Sequence, residues 1–414
     1  MIFNSNKEKL IFYDFPVILF CLIPLFLITG PFLSDLSLSL ISLIFLIYCS
    51  KKKDFSYFRN RYFYFFLIFW FYLILNTFIN NFNLDSLRIS FFFFRFGVFV
   101  VAILALLNVN DKFLRHFFYC ILLCFLVLIC DGFYQFFFDE NILGWKKSVR
   151  LTSLFRDEPI LGSYLSRLWP ILFGLSIIIL KQNNKIIFLF ILSEVLIFLS
   201  GDRTAFFYLN LSAIFIILFS KKLFKLRLFT LLASLIIIVI ISLINPVSKN
   251  RLIDQTISEM NLFNNNNEKK YIFSIQHESL FVSSYKIFLD NKIIGVGVKN
   301  FRNFCSNEKY HKNELSCSTH PHNTYLQLLS ETGIVGFLFL VIIVIYYCKY
   351  ILKHVFLRFR GRYYFTDFEI CILSGIAIYI WPFIPTGNIF NNWLNILMVL
   401  NLPLLIWSRK LIKE

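Results

Sequence analysis

A series of apolar runs with no polar face constrains this chain more than any other feature. Residues 226–244 (LRLFTLLASLIIIVIISLI) and 333–347 (GIVGFLFLVIIVIYY) have no side on which polar groups gather. A helix that is apolar all round must be buried in protein or in lipid. About 20 such residues cross a bilayer core. Runs of this kind recur along the 414 residues and leave no polar surface for a water-soluble body. Composition agrees: the chain is 16% charged, whereas soluble domains are about a quarter charged. The sequence therefore predicts an all-α polytopic membrane protein, folded as a single transmembrane domain over residues 1–414.

About twelve spans are expected, near 15–33, 36–49, 62–79, 89–107, 116–138, 160–180, 185–200, 203–220, 227–245, 325–348, 368–385 and 391–408. The second is short, which suits a tilted helix or one arm of a hairpin. The first follows MIFNSNKEKL without a small-residue cleavage site and is expected to act as an anchor. The net charge of +17 does not point to nucleic acid. Its Lys and Arg residues lie in short loops between apolar runs, where they orient helices against the membrane.

With the N-terminus in the cytoplasm, the cytoplasmic loops hold Lys51 to Lys53 with Arg59 and Arg61, then Lys221, Lys222, Lys225 and Arg227, then Lys349 to Arg362. The C-terminal tail adds Arg409, Lys410 and Lys413, so both termini are expected on that side. The opposite loops 30–35 and 385–392 are nearly free of basic residues. Segments 139–167 and 246–324 break the pattern. The longer is exempt, because long loops translocate regardless of charge. The shorter needs another reason for its basic residues. Residues 246–324 form the one large external loop. It holds an asparagine run (Asn264 to Asn267), a helical pattern over 278–290 and a glycine turn at Gly295 and Gly297. That GVG lies outside any strand–turn–helix context, so it is no dinucleotide fingerprint.

Three external clusters carry polar chemistry. Segment 150–167 (RLTSLFRDEPILGSYLSR) sets Arg150, Arg156 and Arg167 beside Asp157 and Glu158. Segment 200–205 (SGDRTA) puts Arg203 at the outer end of a hairpin. Segment 295–336 runs from GVGVKNFR to CSTHPHNTYLQLLSETGIVG. Arginine at a membrane boundary is unfavourable unless paired or hydrated. Pairing with Asp202, or snorkelling to headgroups, accounts for Arg203 alone. Several arginines converging on one side suit a bidentate phosphate site instead. His320 and His322 precede the tenth span. Asn323 or Thr324 can cap that helix, with Gln327 completing a box, but capping does not explain two histidines. Gly333 and Gly336 return to the histidine's face at helical spacing, where glycines admit a close neighbouring helix. Histidine at such a mouth can accept a hydroxyl proton near neutral pH. Cys305 and Cys317 can be a disulfide, free thiols or part of a zinc set with the histidines. An oxidising external compartment favours the disulfide, and the spacing fits zinc patterns poorly. Arg95 reads as the only clear midspan charge.

At this point the residues resemble a known family. His322-Asn323, nine residues, Gly333, two residues and Gly336 match the signature H-[NSQ]-x9-G-x2-[GTY] of bacterial O-antigen ligases. DNKIIGVGVKNFR, LSGDRTAFF and RLTSLFRDEPILGSYL resemble three further family blocks, in family order. The resemblance covers roughly residues 150–340, and ligases, O-antigen (Wzy-type) polymerases and protein O-oligosaccharyltransferases share versions of it. It implies a GT-C-like membrane glycosyltransferase of the inner membrane, working at the periplasmic face without metal or other cofactor. The donor would be an undecaprenyl-diphosphate-linked glycan and the acceptor lipid A–core or another glycan. His322 would be the base, Arg203 a diphosphate ligand, Arg150 a second basic contact and Glu158 a polar wall. His320 and Asn323 would border the substrate. The family often places an arginine where this chain has His277, so His277, Arg251 or Arg302 must supply the second cation. A transporter or flippase is a competing class, but transporters tend to gather ionisable groups near the midplane. Here they gather at one face.

Overall fold

The computed structural model describes the chain except residues 2, 4, 81, 148–149, 181–183, 223, 245–248, 261–269, 312 and 412–414, and describes the backbone alone at 184–185, 226, 244, 251–252 and 411. The asparagine run, Lys413 and the Arg251 side chain thus lie outside the described residues. Every regular element among the described residues is a helix. In order these are α1 (Asn6–Thr29), α2 (Pro31–Lys52), α3 (Arg61–Ile79), α4 (Leu84–Val109), α5 (Asp111–Phe138) and α6 (Leu161–Ile179). Then come α7 (Asn184–Ser200), α8 (Arg203–Phe219), α9 (Phe224–Ile244), α10 (Ile275–Asp290), α11 (Thr324–Phe359), α12 (Asp367–Ile380), α13 (Asn392–Val399) and α14 (Asn401–Leu411), with a short helical segment over 250–259 before α10 and a few single turns elsewhere. Helices α1 to α6 and α11 are long and apolar enough to cross a membrane, and α7 to α9 contain shorter apolar stretches.

Burial separates the centre from the rim. In α6, 78% of the most apolar stretch is buried, against 17% in α3. Helix α6 packs on α5, α7, α8 and α12. Exposed Ile68, Phe71, Leu75 and Phe78 mark the outer face of α3.

Side chains set the helix starts. Asn60 and Asn83 accept first-turn N–H groups of α3 and α4, and Asp202 does the same for α8. Each satisfies a backbone donor that no helical carbonyl can reach.

Several spans differ from expectation, among them the tenth, which runs on to Phe359 as α11 instead of ending near 348. Helix α2 runs the full 22 residues from Pro31. Its early polar residues do not end it, because Ser34, Ser37 and Ser42 face inward and are buried. Ser37 and Ser42 bond the carbonyls of Leu33 and Leu38. Helix α12 stops at Ile380 instead of continuing to 385. Pro382 and Pro385 lack the N–H groups that continuation needs, and residues 381–391 become a loop that reaches the site described below. The last span divides into α13 and α14 at Leu400, whose dihedrals stay helical.

Arg95 is not the only charge within a span. It pairs with Asp35 at 2.6 Å. Glu194 in α7 is also fully buried and accepts the Ser234 hydroxyl of α9. Glu331 in α11 is buried as well.

Candidate functional site

The site is assembled where α8, α10 and α11 begin. Asn323 caps α11, accepting from the N–H groups of Tyr325 and Leu326 at 3.0 and 3.1 Å. Its amide donates to the Pro382 carbonyl at 3.2 Å. Gln327 does not complete a capping box. It turns into the bundle, donating to Glu331 Oε2 at 3.0 Å and to Asn388 Oδ1 at 2.9 Å. His322 immediately precedes the cap with φ 53°, a left-handed backbone unusual for histidine. The Thr386 N–H holds it there by donating to its carbonyl at 2.7 Å. Such an outlier persists only where the surroundings enforce it, and it is common at working sites.

Gly333 does not serve a close helix contact. It breaks α11, with φ 64° and ψ −168°. The carbonyls of Ser330 and Glu331 then lose their helical donors. They accept instead from Val296 and Gly297 N–H, both at 2.9 Å. The freed Ile334 N–H donates to the Lys292 carbonyl at 2.8 Å. A Cβ on Gly333 would sit 2.2 Å from the Ile293 carbonyl oxygen, and one on Gly295 2.5 Å from the Glu331 backbone. The two glycines thus let two backbones interlock without side chains between them. Gly336 packs against Thr332 and against Tyr72 of α3. Buried Glu331 strengthens the joint by accepting the Phe301 N–H at 3.1 Å. The glycine turn and the histidine helix are therefore one rigid unit.

Three histidines meet here. The rings of His320 and His322 lie 4.0 Å apart, and those of His277 and His322 lie 5.6 Å apart and nearly perpendicular. His277 sits in the first turn of α10, capped by Ser274, whose hydroxyl also meets its Nδ1 at 2.8 Å. Burial pushes His277 down to about 4, aided by His322 and Arg203 and opposed by Glu259. Burial takes His320 to about 3, with His322 and Arg302 adding to the effect and a backbone hydrogen bond to Thr386 opposing it. Burial also lowers His322. All three imidazoles are thus neutral near pH 7, the form that can accept a proton. Among the described residues no group of three His, Cys, Asp or Glu side chains could hold a metal ion.

Arg203 presents both ends of its fork to Glu259, at 2.7 and 3.0 Å. That hydrogen bond and the nearby charges of Arg203 and His277 hold Glu259 below its ordinary range. Arg203, Glu259 and His322 all act on His277, so the arginine and the catalytic candidate share one neighbourhood.

The other expected residues divide. Arg150 lies close enough to Asp202 to influence its carboxyl, which burial raises and Arg150 and Arg167 lower. Arg167 is buried and Arg156 is exposed, with its guanidinium over Trp145. Glu158 is exposed in the turn before α6, and no ion pair joins it to Arg150 or Arg203 among the described residues. Arg302 is exposed and donates to the Thr319 carbonyl at 3.4 Å, behind His320. Cys305 and Cys317 form a disulfide, with Cα atoms 5.0 Å apart, in the loop that carries His320.

Sequence reasoning missed Glu259, Glu331 and the 381–391 loop. Glu331 had a signal, a carboxylate inside an otherwise apolar span. Glu259 and the loop residues had none, since their partners are distant in sequence.

Fold and site together define an integral-membrane protein with an imidazole–guanidinium centre at one end of its helices. Residues 187–341 match a family model described as O-antigen ligase (Wzy_C), which supports the O-antigen ligase and polymerase family for this chain. That family match supports glycan transfer as the type of activity. No curated protein matches the chain.

Proposed function

We propose that this protein transfers an undecaprenyl-diphosphate-linked glycan to an acceptor hydroxyl at the periplasmic face of the inner membrane, ligating O-antigen to lipid A–core. Residues 1–414 act as one transmembrane domain with 246–324 as its periplasmic loop. His322 takes the acceptor proton while the acceptor oxygen attacks the anomeric carbon. The lipid diphosphate leaves with the electrons of the broken bond, and the anomeric centre inverts. Arg203 binds the diphosphate, and its fork suits two phosphate oxygens as it suits the Glu259 carboxylate. Arg150 adds positive charge, and His277 stands where relatives often carry arginine. His320, Asn323, Gly333 and Gly336 position the base. Arg302 and Glu158 border the entry.

The observation that carries this reading is that His277 packs against His322 and lies close enough to Arg203 for its charge to be felt. A gene deletion followed by a lipopolysaccharide gel tests it. Core without ladder, with long lipid-linked polymer accumulating, is the expected result. Core carrying one repeat would make the protein a polymerase, and an unchanged ladder would overturn the reading. Complementation with His322→Ala then tests the base directly.

A further inference from the structure

Asp202 and Arg203 are neighbours in sequence but face different groups. Arg203 turns to Glu259, whereas Asp202 feels Arg150 and Arg167. Arg167 lies in the second turn of α6 and is only 5% exposed. No carboxylate lies within ion-pair distance of it among the described residues. Its guanidinium donates to Ser163 and sits 4.8 Å from the Tyr208 ring and 5.7 Å from the Tyr379 ring. Tyr208 belongs to α8 and Tyr379 to α12. Arg167 Nε, Tyr208 Oη and Tyr379 Oη are all buried without a hydrogen-bond partner among the described residues.

Buried charges are normally paired, and buried donors are normally bonded. Two unpaired hydroxyls beside a guanidinium that has an unpaired Nε, and whose neighbouring carboxylate Asp202 stays beyond ion-pair distance, suit an anion with several acceptor oxygens. The position fits. Gly162 lets α6 approach the start of α8 so closely that a Cβ there would lie 2.9 Å from Ala205 and 3.1 Å from Asp202. The segment following Tyr379 also holds the histidine loop. The Ile380 carbonyl accepts from Tyr325 at 2.5 Å, Pro382 accepts from Asn323, and Thr386 donates to His322. The arginine group and the histidine group therefore share two walls, residues 202–203 and 379–386.

We propose that Arg167, with the Tyr208 and Tyr379 hydroxyls, forms a second phosphate subsite that binds oxygens of the same lipid-linked diphosphate as Arg203. The assignment rests on the transferase reading above. It supplies the cation that His277 does not, and Arg167 and Tyr379 lie outside the segment matched by the family.

The test uses the purified full-length protein in detergent, with undecaprenyl diphosphate, undecaprenyl monophosphate and phosphatidylglycerol as probes. Kd and ligand-induced rise in Tm are measured for each. Wild type is expected to bind the diphosphate most tightly. The double variant Tyr208→Phe/Tyr379→Phe keeps both rings and removes only hydroxyls. Its Kd for the diphosphate is expected to rise about tenfold, while the Tm of the free protein holds or rises, because the hydroxyls have no partner to lose. Arg167→Gln is expected to weaken binding further. Unchanged diphosphate affinity in the double variant overturns the subsite, whatever Arg167→Gln does to folding. An equal loss for phosphatidylglycerol would make the pocket a phospholipid headgroup site and also overturn it. Binding lost in Arg203→Ala but kept in the double variant would leave the transferase reading standing without this subsite. Wild type that ignores undecaprenyl diphosphate overturns both.

Discussion

His354 and His322 stand at opposite ends of α11, and their surroundings differ in kind. At the basic end His354 is fully buried with both ring nitrogens occupied. Nε2 meets the Phe219 carbonyl at 3.0 Å and Nδ1 accepts the Phe365 N–H at 3.0 Å. Nearby Glu369 closes the capping box of α12 and receives Arg409 at 3.3 Å. Asp367 receives the Lys221 and Lys222 N–H groups at 2.6 and 3.1 Å. Arg227 Nε is an unpaired donor of that cluster among the described residues. At the other end, Arg167 Nε and two tyrosine hydroxyls lack hydrogen-bond partners among the described residues, and His322 adopts a left-handed backbone. Histidine, arginine and carboxylate are common to both clusters. A nearly closed network suits a structural joint, whereas the unfilled donors at the other end are those the proposed diphosphate would satisfy.

The comparison can be broken by substitution at either end. The largest effect is expected from His322→Ala, which should lower glycan transfer by about 10²–10⁴-fold, the usual contribution of a general base. A transfer assay with normal protein levels checks it, and full activity would remove the base. Gly333→Ala should destabilise the protein by about 2 kcal/mol or more, since it adds a left-handed penalty and a backbone clash; thermal unfolding in detergent reads this. His354→Leu leaves a carbonyl and an N–H unpaired and should cost about 1–3 kcal/mol of stability, with KM for the donor unchanged. A change in KM there would erase the distinction between the two ends.

Arg203→Lys keeps the charge and loses the planar fork, so transfer should fall about tenfold. Unchanged kinetics would reduce Arg203 to a snorkelling side chain. The smallest effect concerns pH. His277, His320 and His322 all have folded values below the ordinary 6.5. The folded state then binds fewer protons than the unfolded state below that pH, and stability falls as pH drops from about 6.5 towards 4 and 3. Transfer should rise with pH through an apparent value below 6.5 and level off by neutrality. A rise centred above 7 would exclude His322 as the base.

Much of this was legible in the chain. Apolar runs located most helices, and the clusters around Arg203 and His322 were visible because charged and imidazole groups are unfavourable beside lipid. Helical spacing predicts Gly333 and Gly336 on one face of a continuous helix. Periodicity presumes regular dihedrals, so it could not show that Gly333 breaks the helix. Arg167 was visible as part of a basic cluster, but its burial between two tyrosines depends on how α6, α8 and α12 pack.

The sequence alone determined that the chain is helical and embedded in lipid, and which residue types gather at one end. Those follow from local transfer energies, which each segment carries by itself. Only the tertiary structure decided that Glu259 fills the fork of Arg203, that residues 381–391 hold His322, and that two glycines lock a turn to a broken helix. Each of these contacts joins residues far apart in the chain, and no local preference encodes them.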